Sequence, residues 1–178
     1  ELMKDNNVKI IGGKWKRKNI SFNEAKGLRP TLGRVRETLF NWLGQDLNNK
    51  KCLDLFAGTG ALGFEALSRN AESCIFVENN PSTFQKLIQN KENLKADNAI
   101  IKKIHADFFI KNNEELFDII FFDPPFVLDN SIQLIEFIRK FLKPHGVIYF
   151  ETNIKLPENF LEIIKTSRVG KVYFHLVH

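Results

Sequence analysis

The chain is short of cysteine, of long apolar runs and of clustered metal-ligating side chains, and each shortage removes a class of protein. Across 178 residues there are two cysteines, Cys52 and Cys74. Both fall in short apolar segments, so buried free thiols in a reducing compartment are expected, not a disulfide framework. His105, His145, His175 and His178 are scattered, and no Cys/His group has the spacing of a metal site, so no metal is expected. No apolar run reaches the ~18 residues that span a bilayer. The first residues carry no apolar h-region, so no secretory signal is expected and the cytoplasm is the expected location. Internal repeats and low-complexity tracts are also missing. The hydrophobic content of 43% is enough to build the core of one domain with a small appendage.

The net charge of +5 is unevenly distributed. Residues 1–36 hold ten basic side chains and three acidic ones, whereas the remainder holds sixteen basic and eighteen acidic. The positive charge of the protein is therefore its N-terminal segment. Such a block favours a polyanion, because neutralising phosphates releases counterions. Trp15, set among Lys14, Lys16, Arg17 and Lys18, is a candidate to stack on a base.

Val8-Lys9-Ile10-Ile11 and Asn19-Ile20-Ser21-Phe22 read as strands of a small hairpin around Gly12-Gly13. Gly27-Leu28-Arg29-Pro30 reads as a loop, Thr31 as a helix N-cap, and Val35, Leu39, Trp42 and Leu43 follow at helical spacing. A boundary is expected near residue 47. From residue 48 onward, strands and helices alternate. Strands are expected at 52–55, 73–78, 99–104, 117–122 and 147–150, with a closing antiparallel pair near 161–164 and 171–177. Helices are expected at 61–69, 81–94 and 131–142, the last stopped by Pro144-His145-Gly146. Near-continuous apolar strands alternating with helices imply an α/β fold, a mostly parallel sheet covered on both faces.

Two motifs carry the chemistry. Gly58-Thr59-Gly60-Ala61-Leu62-Gly63 satisfies G-x-G-x-x-G, follows the strand ending in Asp54-Leu55-Phe56-Ala57, and precedes Glu78 by twenty residues. Glycines there admit a ligand to the backbone, and the acid binds ribose hydroxyls. That spacing alone suits NAD as well as S-adenosylmethionine. Three features favour S-adenosylmethionine. Asp54 is placed to meet an ammonium, where it would repel a pyrophosphate. Asp107-Phe108 follows the third strand, where a carboxylate and a ring could bracket adenine. The third feature is the second motif, Asp123-Pro124-Pro125-Phe126, at the end of the fourth strand.

Two prolines fix the backbone after Asp123 and remove its amide donors. The Asp123 carboxylate and Pro124 carbonyl then make two fixed acceptors for the two hydrogens of an exocyclic amine. Accepting both pulls the nitrogen from planarity and frees its lone pair. Phe126 can stack on the ring that bears the amine. The expected catalytic group is Asp123, Pro124 and Phe126, and the expected cofactor group is Asp54, Phe56, Ala57, Gly58, Thr59, Gly60, Leu62, Glu78, Asn79, Asp107 and Phe108.

The quoted stretches resemble the RsmD family, the bacterial small-subunit ribosomal RNA guanine-N2 methyltransferases. Ile10-Ile11-Gly12-Gly13-Lys14-Trp15-Lys16 is similar to the family's I-I-G-G-x-[WF]-[RK] stretch. Residues 28–43, from Leu28-Arg29-Pro30-Thr31 through Arg34-Val35-Arg36-Glu37 to Leu43, are similar to its R-P-T-x-x-R-V-R-E-x-[LM]-F-N signature. Glu65-Ala66-Leu67-Ser68-Arg69 matches too. Glu78-Asn79-Asn80 departs from the many relatives with an aspartate two after the glutamate, which leaves ribose binding to Glu78. The resemblance implies a Rossmann-like class I S-adenosylmethionine-dependent methyltransferase fold with a seven-stranded sheet. Residues 48–178 would be its catalytic domain and residues 1–47 a basic RNA-binding extension. It implies methylation of a guanine N2 in 16S ribosomal RNA on an assembling small subunit, by an expected monomer. Lys14, Trp15, Lys16, Arg17, Lys18, Arg29, Arg34 and Arg36 are the expected substrate contacts, with one of Arg34 and Arg36 on phosphate and the other beside the cofactor.

Three rival readings differ in class. A DNA adenine or cytosine amino-methyltransferase uses the same proline box, but no target-recognition domain is visible. A glutamine methyltransferase of proteins would carry Asn where Asp123 stands. A non-catalytic RNA-binding assembly factor would not need Asp54, Glu78 and Asp123 intact.

Overall fold

The computed structural model describes residues 6–24, 28, 31–124 and 130–178. Arg29, Pro125 and Phe126 lie outside the described residues. The chain begins with the hairpin, β1 (Asn6–Lys9) antiparallel to β2 (Asn19–Phe22). Beyond the strand ends, the Ile10 and Arg17 amides donate to Lys18 and Ile10 carbonyls, which carries the pairing further toward the turn. Next comes α1 (Gly33–Leu43), which buries Val35 and Leu39 of the expected stripe, leaves Trp42 and Leu43 half-buried, and also buries Phe40, which the stripe did not include. Its N-cap is Leu32 and makes no side-chain cap; Thr31 does not cap it and is occupied elsewhere, as described below.

The remaining elements are β3 (Lys51–Asp54), α2 (Ala61–Ser68), β4 (Ser73–Val77), α3 (Pro81–Leu94), β5 (Ala99–Lys102), α4 (Ala106–Asn112), β6 (Phe117–Phe122), α5 (Ser131–Ile138), β7 (Leu142–Thr152), β8 (Ile163–Val169) and β9 (Val172–Val177). Seven strands form one sheet in the order β5-β4-β3-β6-β7-β9-β8. The first five are parallel, while β9 runs antiparallel to both β7 and β8. The chain winds outward from β3 to β5, then crosses to β6 on the other side of β3. That reversal opens a crevice at the carboxyl ends of β3 and β6, where open α/β sheets bind ligands.

Strand parity sorts the core. Cys52, Cys74, Phe76, Ile119, Phe121 and Tyr149 pack on one face together with α2 and the N-terminal residues Ile10, Trp15, Ile20, Val35 and Leu39. Leu53, Leu55, Ile75, Ile120, Phe122, Ile148 and Phe150 pack on the other with Phe109, Ile135 and Ile138. Both faces are therefore covered, which is why the strands read as continuous apolar runs. One core cluster takes in residues from either side of position 47. Cys52 and Cys74 are directly opposite one another in neighbouring strands, buried and free, and burial raises both thiols above their ordinary range.

Further details depart from the sequence reading: the strand expected at 161–164 runs instead over Ile163–Val169, and two helices differ. α4 is absent from it; its seven residues leave only Phe109 and Ile110 buried, too short a stripe to register as periodic. The helix expected to reach Leu142 ends at Ile138, a 3-10 turn spans Arg139–Phe141, and β7 starts at Leu142 and passes through Pro144-His145-Gly146. Phe117 pairs with Leu142 and Ile119 with Val147, so the extra residues bulge out of the ladder. A bulge tolerates proline, which has no amide to donate.

Candidate active site

A cavity of about 310 Å³ fills the crevice, and two walls of it carry the recognisable chemistry. The first wall is the turn between β3 and α2. Gly58 and Gly60 both have positive φ, 52° and 80°. Gly60 is the N-cap of α2, and a Cβ there would meet Leu87 Cδ2 and Phe64 Cε2 at 2.7 Å, so glycine is required by conformation and by space. Asp54, at the end of β3, is 2% exposed and accepts the Gly63 amide at 3.2 Å. Burial pushes its carboxyl well above the usual range; the Gly63 amide opposes this, and nearby Asp123 and Glu78 add to it. Glu78, just past β4, accepts the Gly58 amide at 2.9 Å and the Asn80 amide at 3.0 Å. The carboxylate is thus held by backbone donors with its edge on the cavity.

Of the expected cofactor residues, Asp54, Phe56, Ala57, Gly58, Thr59, Leu62, Glu78 and Asn79 line the cavity. Gly60 shapes the turn behind it. Asp107 and Phe108 do not line it. They are exposed on α4, Phe108 at 60%, and the wall after β5 is made by Ile104, His105 and Ala106. Helix formation from Ala106 leaves these two side chains exposed. Asn80 has a definite role: its side chain caps α3 through the Thr83 amide at 3.0 Å.

The second wall is the end of β6. Asp123 and Pro124 line the same cavity, half-buried. Thr31, read from sequence as a cap, also lines it, and its hydroxyl donates to Asp123 Oδ2 at 3.4 Å. Thr31, Leu28 and Thr83 are cavity residues that sequence reasoning does not select. For Thr31 the signal is present only as the motif that contains it, since its partner lies 92 positions away.

The N-terminal segment divides into a buried side and a charged side. Trp15 is 6% exposed and sits in the core. Its ring is therefore not presented to a base, and the expectation of stacking gives way to packing. Its amide donates to Ser68 Oγ at 3.0 Å, and Lys14 amide donates to Ser68 carbonyl at 2.8 Å. At Gly13 a Cβ would fall 2.0 Å from that carbonyl, so only glycine permits the approach. Ile11 amide is accepted by both oxygens of the buried Glu65, which also pairs with Arg69 at 3.4 Å. The I-I-G-G-x-W stretch is thus a docking device for the end of α2. Lys14, Lys16, Arg17 and Lys18 are exposed. Lys14 is tied to Ser68, roughly 12 Å along α2 from the glycine turn at ~1.5 Å per residue. Arg34 is exposed on α1. Arg36 is 5% exposed and is spent on carbonyls, Thr31 at 3.2 Å and Lys9 at 3.0 Å. Arg36 does not line the cavity, and its guanidinium is engaged by these two carbonyls, one of them from the cavity residue Thr31.

Among the described residues no group of three or more His, Cys, Asp or Glu is arranged to hold a metal ion, and no helix is long and apolar enough to cross a membrane.

Comparison with known proteins covers both walls. The family model described as Conserved hypothetical protein 95 matches residues 8–178. Ribosomal RNA small subunit methyltransferase D of Escherichia coli K12 is 41% identical over 177 residues, covering 95% of this chain and 88% of that relative. The protein of the same name from Haemophilus influenzae is 38% identical over 179 residues, covering 95% of this chain and 92% of the relative. The solved structure of yhhF from Escherichia coli superposes with a TM-score of 0.82 at 33% identity, covering 96% of this chain and 97% of that one. Similarity that runs from the hairpin through both cavity walls to the last strand settles the kinship: the chain belongs to the ribosomal RNA small subunit methyltransferase D family.

Proposed function

We propose that the protein transfers a methyl group from S-adenosylmethionine to the exocyclic N2 amine of a guanine in 16S ribosomal RNA within the assembling small subunit. The observation that carries this reading is a single cavity shared by the Glu78–Gly58 turn and the Asp123–Pro124 corner. The cavity fits the cofactor in charge as well as in shape. Three carboxylates, Asp54, Glu78 and Asp123, border it. A dinucleotide pyrophosphate would be repelled by them, whereas a ligand with an ammonium and a sulfonium is attracted. Glu78 would hold the ribose hydroxyls, and Asp54 the ammonium, whose charge would favour the ionised carboxylate that burial alone disfavours. Bound there, S-adenosylmethionine supplies an electrophilic methyl on a positively charged sulfur.

The chain's own contribution is orientation and electrostatics. A guanine amine is a weak nucleophile because its lone pair is delocalised into the ring. Asp123 carboxylate and Pro124 carbonyl accept its two hydrogens and turn the lone pair toward the cofactor side of the cavity. As the new N–C bond forms the nitrogen must shed one proton, and Asp123 is the acceptor placed beside it. Phe126 is proposed to stack on the purine. A target in a folded loop would be extruded to reach this corner. Arg34, Lys14, Lys16, Arg17, Lys18 and Arg29 are proposed to hold phosphates around the target. Family membership supports the RNA substrate over DNA; the enzyme is proposed to act in the cytoplasm as a monomer.

Labelled methyl transfer to small subunits, with DNA and free large subunits as controls, tests the reading. Label in small-subunit RNA is expected; label in DNA alone, or none in RNA, would overturn it.

A further inference from the structure

The signature Pro30-Thr31-Leu32-Gly33-Arg34-Val35-Arg36 spans one residue on the cavity and one deep in the core. Thr31 reaches Asp123 Oδ2 through its hydroxyl. Its own carbonyl accepts Arg36 Nε at 3.2 Å, and Arg36 Nη1 donates to the Lys9 carbonyl at 3.0 Å. Arg36 is almost fully buried, and Glu65 on α2 supplies an opposing charge. The result is a relay of position from β1 and α2, through a rigid guanidinium, to the carboxylate that faces the target amine.

Resting on the function proposed above, we infer that Thr31 is a positioning residue for Asp123: its hydroxyl meets Oδ2 at 3.4 Å and so contributes to the orientation in which the carboxylate faces the substrate nitrogen. A carboxylate at the end of a strand can rotate about its terminal torsion, which is broad and nearly two-fold. A donor on one oxygen biases the carboxylate toward one orientation beside the Pro124 carbonyl. A hydroxyl that donates to a carboxylate favours its ionised form. Thr31 touches neither methyl donor nor amine; it acts through Asp123.

The test compares Thr31→Val, which keeps the shape and removes the hydroxyl, with Thr31→Ser, which keeps the hydroxyl. Single-turnover methyl transfer to small subunits at saturating cofactor is expected to fall roughly 3–10-fold in Thr31→Val, the effect of losing one ordinary hydrogen bond. Thr31→Ser is expected within about twofold of wild type by the same reasoning. Cofactor affinity by calorimetry is expected unchanged in both. In an Asp123→Ala background the valine substitution is expected to have no further effect, because the two residues act as a unit. Asp123 titration, followed by carboxyl carbon NMR, is expected to move upward in Thr31→Val whether or not the protein methylates subunits. A Thr31→Val protein with wild-type rate and wild-type Asp123 titration would overturn the inference, as would equal losses in the valine and serine variants. If wild-type protein transfers no methyl, the function reading fails, and the titration alone still decides whether Thr31 holds Asp123.

Discussion

The cofactor wall and the acceptor wall of the cavity are assembled over different distances in the chain. On the cofactor side Asp54 and the amide that holds it are nine residues apart, and Glu78 and its Gly58 donor are twenty apart. One strand, one turn, one helix and the next strand supply the whole wall. On the acceptor side Thr31 and Asp123 are 92 residues apart, brought together by a helix on one face of the sheet and a strand within it. The first wall is held by backbone donors that no side-chain change can remove. The second includes a contact between two side chains and rests on the core beneath them. The cofactor wall should therefore tolerate substitution in its surroundings, and the acceptor wall should not.

The largest expected effect comes from removing what the acceptor side stands on. Trp15→Ala leaves a cavity in the core under the docked hairpin and is expected to cost about 3–5 kcal/mol of stability by thermal or denaturant unfolding. Neutralising the exposed neighbours Lys16, Arg17 and Lys18 together should leave the unfolding midpoint nearly unchanged. It should instead flatten the salt dependence of subunit binding, by roughly 0.7–0.9 in slope for each phosphate that is no longer neutralised. A Trp15→Ala protein as stable as wild type would mean that the hairpin is only loosely attached.

Asp123→Ala separates the walls next. Single-turnover methylation is expected to fall by roughly 10²–10³, the range for deleting one preorganised electrostatic interaction, while cofactor affinity by calorimetry stays the same. Glu78→Ala should do the reverse. It removes charge-assisted hydrogen bonds worth ~1.5–3 kcal/mol of cofactor affinity, and at saturating cofactor most of the methylation rate should return. Loss of rate in Glu78→Ala that cofactor cannot restore would show that the walls are not separable.

The smallest effect is on Asp54. Its carboxyl is raised in the folded protein, chiefly by burial. The folded chain therefore holds a proton that the unfolded chain releases in the window above the ordinary carboxyl range, and stability falls as pH rises through that window. Asp54→Asn removes this burden. The cofactor-free variant is expected to gain on the order of 1 kcal/mol near neutral pH, roughly 2–4 °C in midpoint for a chain of this length, while binding cofactor more weakly. Equal stability of the two proteins across pH 4–8 would contradict the assignment.

The contrast between the walls also explains which parts are legible in the sequence. Strand, turn, helix and acid in the order of residues 52–78 are local, and the apolar runs that alternate between the two core faces betray a sheet covered on both sides. Asp123-Pro124 can be found because it is a compact motif. Thr31 cannot be assigned to Asp123 from sequence, because nothing in its own neighbourhood points across 92 residues, and an N-cap is the local reading of the same hydroxyl. Trp15 and Arg36 mislead for a related reason. Trp15 stands among exposed cations and Arg36 close to the exposed Arg34, yet the fold turns both side chains inward, Trp15 into the core and Arg36 onto two carbonyls. Charge density identifies the segment, and only packing divides it into a buried face and a solvent face.

Both walls are held to serve one transfer, to the N2 of a guanine. Mass analysis of nucleosides from small-subunit RNA, taken after incubation with the purified protein and isotopically labelled S-adenosylmethionine, tests this most directly. Label is expected in N2-methylguanosine at one position, and absent when Asp123→Ala replaces the wild type over the same short time. Label on another base, on a ring nitrogen of guanine, or on a protein of the particle would contradict the account.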